Sequence, residues 1–136
     1  MAFTALAAKA YKDPITTVWA NSIQGNDDYL FTAASKAWVN FDGSAAALSA
    51  RSSLNISSIT DVAAGVYIIN FTTGFSTSGY CILGGAGHGN DGACVGVDTS
   101  NTTAMQSGSC QIQNISANAG VEDSPVICAA FFGIKN

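Results

Sequence analysis

Residues 36–43, Lys-Ala-Trp-Val-Asn-Phe-Asp-Gly (KAWVNFDG), decide how the rest of the chain is read. Ala37, Val39 and Phe41 alternate with Trp38 and Asn40, and an Asp-Gly pair closes the run. Side chains of a strand point alternately to its two faces, so this is a strand with an apolar face and a second face carrying a Trp beside an Asn. The same rhythm returns in VYIINF, where Tyr67, Ile69 and Phe71 share one face and Val66, Ile68 and Asn70 the other. Further strands are expected in ALSARSSLNIS, GYCILGG, ACVGVD, CQIQNIS and VICAAFFGI. Seven or eight short strands punctuated by Gly, Asn, Asp and Ser predict an all-β domain, an antiparallel β-sandwich of jelly-roll type, over residues 36–136.

Residues 1–35 read differently. Asp13 and Pro14 form a helix start, and Gly25-Asn26 a stop. Between them Ile15, Val18, Trp19 and Ile23 fall on one helical face. A helix this short is marginal alone, so its stripe must dock, either on its own sheet domain or on another subunit or a larger particle. The expected organisation is therefore an N-terminal attachment helix and connector, 1–35, followed by the sheet domain. MAFTALAAKA lacks a basic leader region and Lys9 interrupts its apolar run, so no export signal is read there.

Composition narrows the function. The chain has 136 residues, the size of one domain with a real core. Only 10% of them are charged and the formal net charge is −4. Five scattered basic residues offer no footprint for nucleic acid or anionic lipid. No window is apolar for long enough to insert in a membrane as a helix. So uncharged a surface suits a domain covered by copies of itself or by a partner, and a face with Trp38 beside Asn40 fits an interface between copies better than open solvent.

Several motifs imitate chemistry. Gly87, Gly89 and Gly92 have GxGxxG spacing, but ACVGVD follows where a nucleotide site requires a helix. The glycine-rich stretch Gly84–Gly92 reads as a long turn, with His88, Asn90 and Asp91 on an exposed tip or packed against another copy. His88 has no GxSxG nucleophile beside it, and Glu122 and Asp123 adjoin each other and would point apart. No catalytic residue, metal ligand set or cofactor is therefore expected. Cys81, Cys94, Cys110 and Cys128 form no CxxC pair. They read as buried thiols, with Cys81 and Cys128 inside strands, or as disulfides or metal ligands. Asn55, Asn70, Asn101 and Asn114 each open an N-x-S/T triplet and read as strand and turn residues.

Three motifs in order carry a family resemblance: Ala37-Trp38-Val39-Asn40-Phe41-x-Gly43, Asn55-Ile56-Ser57-Ser58-Ile59-Thr60-Asp61 and Tyr67-x-Ile69-Asn70-Phe71-Thr72. From about Lys36 to Gly85 the chain resembles a β-rich domain of bacteriophage tail fibres and related virion appendages. MAFTAL followed by DPITTVWANSIQGNDDYL is similar to the start of many phage fibre chains, the end that attaches to the particle. The resemblance implies a non-enzymatic virion structural protein, assembled in the host cytoplasm as a homotrimer. Such a protein is either a short tail-fibre-type adhesin or a capsid decoration of head-fibre or cement type. Its partners would be its own copies, capsid or tail proteins and a host surface glycan. The competing expectation is a free-standing trimeric carbohydrate-binding module.

Overall fold

The computed structural model describes residues 34–136 apart from 89, 90 and 102, with the backbone alone at 88, 91 and 92. The chain divides after Ala34 into two units, and the fold is that of the second, Ser35–Asn136. The expected helix with Ile15, Val18, Trp19 and Ile23 lies outside the described residues.

The described residues are all β. In chain order the strands are β1 (Ala37–Phe41), β2 (Ala50–Leu54), β3 (Ile56–Ala63), β4 (Val66–Phe71), β5 (Cys81–His88), β6 (Asp91–Val97), β7 (Met105–Gln106), β8 (Ser109–Ser116), β9 (Gly120–Val121) and β10 (Val126–Phe132). They form one antiparallel sheet in the order β2-β1-β10-β5-β6-β8-β4-β3, with the short β7 and β9 also paired to β8.

The two edges of this sheet, β2 and β3, are neighbours in sequence, joined by Asn55 alone. The sheet must therefore curl until its edges meet at that residue, and it is nearly closed. Asn55 turns the corner in the left-handed region, at φ 58°. Asparagine tolerates that region better than most residues with a side chain. Its amide is also held on both sides. Nδ2 donates to the Thr73 carbonyl at 2.9 Å, and Oδ1 accepts from the Thr73 amide at 2.8 Å. The Thr72 amide donates to the Asn55 carbonyl at 3.1 Å.

Curling encloses one face of β1, β4 and β10 and most of β8, while β2 and β3 stay largely exposed. Val39, Phe41, Tyr67, Ile69, Ile112 and Ile127 are fully or almost fully buried, so the inner faces expected from alternation in β1 and β4 are the observed ones. At one end Phe41 meets Tyr67 edge-on, with ring centroids 5.1 Å apart. The Tyr67 hydroxyl donates to Asp123 Oδ1 at 2.6 Å. Gly43 is required here, because a Cβ would lie 2.4 Å from the Tyr67 hydroxyl oxygen and 2.6 Å from Ile127 Cδ1. At the other end Phe71, Phe75, Tyr80 and Phe131 form an aromatic cluster, Phe75 stacking on Tyr80 at 4.5 Å.

Two expectations are corrected. The stretch Gly84–Gly92 is not a long turn: Gly84–Gly87 run within β5 and pair residue by residue with Ala129–Val126, and β6 begins again at Asp91. Glycine weakens a strand through entropy and lost packing, but here neighbours on both sides, β10 and β6, satisfy the backbone. The second correction concerns the thiols. Cys81 is exposed and Cys128 half-buried, while Cys110 is the buried one, and all four are free. Alternation explains this, since the inward positions of β5 and β10 go to Ile82 and to Ile127 and Ala129.

The corner makes a direct test. Replacing Asn55 by Ala removes both side-chain hydrogen bonds and leaves a less tolerant residue at positive φ, a loss of about 2–4 kcal/mol in urea unfolding. Replacing it by Gly restores the backbone freedom and costs about half as much.

Candidate functional site

With the inner faces of β1, β10 and β5 in the core, the intervening residues are turned outward. Two cross-strand rows result. Trp38 pairs with Ala130, which pairs with Leu83. One row along, Asn40 pairs with Cys128, Cys128 with Gly85, Gly85 with Cys94 and Cys94 with Ile115. None of these residues is charged. Trp38 and Asn40, singled out from sequence as one face of β1, are thus brought together on an outer surface, both half-buried.

Between the rows lies a groove of about 460 Å³ lined by Trp38, Asn40, Leu83, Gly85, Cys128 and Ala130. Its floor is Gly85, where an added Cβ would meet nothing within 4 Å. Its raised flank is Leu83, the most exposed large apolar residue described, at 69%. The one polar side chain in the lining is Asn40, whose Nδ2 donates to Cys128 Sγ at 3.0 Å. An apolar hollow with a single amide at its edge can seat an aliphatic side chain or stack a flat apolar surface. Leu83 and Gly85 were absent from the sequence expectations. The signal was there in Cys81, Leu83 and Gly85 at alternate positions, but the glycines that follow suggested a turn.

The opposite outer surface is polar. Asn70 Nδ2 donates to Ser58 Oγ at 3.0 Å and to Thr60 Oγ1 at 3.2 Å, and Ser57 Oγ donates to the Asn70 carbonyl at 3.2 Å. These serines and threonines lie on the β3–β4 hairpin, away from the groove strands in sheet order.

Several other polar side chains are engaged structurally, although Asn114 Oδ1 is buried without a hydrogen-bond partner. Asp98 accepts from the Ser100 hydroxyl at 2.6 Å and amide at 3.0 Å and from Gln111 Nε2 at 2.7 Å. The Ser100 contacts hold its carboxyl below the usual range. Asn114 is buried and donates to the Glu122 carbonyl and to Ser124 Oγ, each at 2.7 Å. His88 and Asp91 face each other as a cross-strand pair at the β5–β6 hairpin end. Their side chains, and Asn90, lie outside the described residues. Among the described residues no three His, Cys, Asp or Glu side chains gather as they would around a metal.

Comparison with known proteins returned no matching family model, no matching curated protein and no matching solved structure.

The thiols give a measurable contrast. Cys81 and Cys94 are exposed, whereas burial pushes the Cys110 thiol up to about 11 from 9.0, its hydrogen bond with Tyr80 acting the other way. Burial raises Tyr67 and Tyr80 as well. In native protein at neutral pH, iodoacetamide is expected to label Cys81 and Cys94 readily and Cys110 only on unfolding, read by mass spectrometry. A raised pKa means that the folded state holds its proton more tightly. The contribution of Cys110 is therefore complete below about pH 9, falls as the unfolded thiol ionises, and is lost through about pH 11. Urea midpoints should decline across that window, and less steeply in Cys110→Ala.

Proposed function

We propose that this chain is a non-enzymatic bacteriophage virion structural protein, a short homotrimeric surface appendage. It would act as a tail-fibre-type attachment protein or as a capsid decoration of head-fibre or cement type. The observation that carries this reading is the uncharged outer surface of β1, β10 and β5, with its groove at Trp38 and Asn40. The largest contiguous apolar patch on a protein surface is often a functional contact surface.

Two further features support it. The motifs at Ala37–Gly43, Asn55–Asp61 and Tyr67–Thr72 resemble those of virion appendages, and they coincide with β1, the Asn55 corner with β3, and β4. In this reading the curled sheet is flattened into a jelly-roll-like sandwich, three of which share an axis. Residues 1–35, with Ile15, Val18, Trp19 and Ile23, attach the trimer to capsid or tail. The hairpin end at His88 and Asp91 then projects toward a neighbouring surface or a host glycan.

The groove itself favours one second reading, a free-standing trimeric carbohydrate-binding module. An aromatic ring beside an amide, Trp38 beside Asn40, presents an apolar plane and a hydrogen-bonding group to a sugar.

Purified chain is expected to elute as a species of about three times 13.8 kDa by light scattering at micromolar concentration. Purified phage particles should contain it at a fixed stoichiometry, and electron microscopy should locate it on head or tail. A stable monomer would remove the appendage reading. A trimer absent from particles that binds a glycan array, with binding lost in Trp38→Ala, would select the carbohydrate module instead.

A further inference from the structure

We propose that the outer face of β1, β10, β5 and β6 is the surface by which three copies of this chain meet. Leu83 of each copy is turned toward the common axis and packs beside the Gly85 hollow of a neighbour. This rests on the homotrimer reading and adds to it which surface, which side chain and which cavity form the core of the assembly.

The argument for a second copy as the occupant begins with charge. Any copy of this chain carries the same formal charge of −4, so copies repel wherever their acidic residues face each other. The two rows Trp38-Ala130-Leu83 and Asn40-Cys128-Gly85-Cys94 contain no ionisable acid or base other than thiols, so like-charged copies can approach there without burying an unpaired carboxylate. The polar side, with Asp61 and the hydroxyl cluster around Asn70, offers no such approach.

Shape points the same way. Leu83 projects at 69% exposure, and two residues further along the same strand and face Gly85 leaves an open hollow. A threefold ring is built from head-to-tail contacts, and each copy supplies both halves of such a contact, a protrusion for one neighbour and a hollow for the other. A foreign partner needs only the cavity. Four strands spaced about 4.8 Å apart and about seven residues long cover on the order of 400 Å² in projection, the size of the largest apolar patch on a typical protein, which is often functional.

The test uses the full chain. Leu83→Lys places an ammonium in the contact, and Gly85→Leu puts a side chain into the hollow at a position where its Cβ meets nothing within 4 Å, so both variants should keep the wild-type circular dichroism spectrum and melting profile. Val62→Lys, on the exposed edge strand β3, is the control. The expected result by light scattering is monomer for Leu83→Lys and Gly85→Leu, and trimer for wild type and Val62→Lys. Cys81 lies two residues from Leu83 on the same face. In a variant with Cys94 and Cys128 replaced by Ser, each copy offers one accessible thiol, so a short bis-maleimide should join copies pairwise into covalent dimers through Cys81. If wild type is a trimer but both groove variants remain trimers, or Cys81 fails to cross-link, this face is wrong while the homotrimer stands. A monomeric wild type overturns both. A Gly85→Leu variant that loses its fold leaves Leu83→Lys and the cross-link to decide.

Discussion

The whole architecture hangs on one residue in the left-handed conformation. β2 and β3 are successive strands, and in most antiparallel proteins such strands would pair as a hairpin. Asn55 alone cannot reverse the chain into a hairpin, and at φ 58° it turns the chain through a corner instead. The two strands leave that corner on opposite edges of one sheet, and every strand between them is obliged to curl. Its clamp on Thr73 fixes where the corner sits relative to the end of β4. A side chain usually read as a turn former is here also a brace between two distant segments.

Curling makes the division of faces absolute. Once Val39 and Phe41 are inside, Trp38 and Asn40 have nowhere to go but out, because a slip of one residue would exchange the two sets completely. Full burial of a large apolar side chain is worth about 1.5–3 kcal/mol. The core, with Tyr67, Phe71, Phe75 and Phe131, takes that gain and holds the register against the partly exposed Trp38 and the exposed Leu83. The apolar outer surface is thus a cost tolerated by the fold, and the proposed association would recover it only after the lost freedom of the subunits is offset.

Much of this was legible beforehand. Period-two alternation located most of the strands, and in β1 and β4 it assigned each face correctly, because a strand with one buried side writes its orientation into the sequence. What alternation cannot carry is strand order. That β10 lies between β1 and β5, and that β8 lies between β6 and β4, depends on pairings far apart in the chain. The glycine-rich stretch was misread for a related reason: five of its nine residues are glycines, which leave little alternation to read, so its strand character comes from neighbours contributed elsewhere. The same blindness hid the groove, whose floor is one of those glycines. The thiols were misplaced at the level of a single residue, since GYCIL and VICAA do not say which member of each pair faces in.

The sheet's edges bear on how copies can associate. A nearly closed sheet still has two unpaired edges, and exposed edges are where unplanned pairing begins. Here β2 carries Arg51, paired to Asp42 at 2.9 Å, and β3 carries Asp61 among Ser and Thr, with all of β2 and most of β3 exposed. An incoming strand would have to desolvate those charges and hydroxyls to add to the ladder. The outer face of β1, β10 and β5 presents no such obstacle, because its backbone hydrogen bonds are already made within the sheet and its side chains are apolar or small. Association across that face therefore costs little desolvation, while association along the edges costs much. In the proposed assembly this difference would favour packed faces over an open-ended ribbon of added strands.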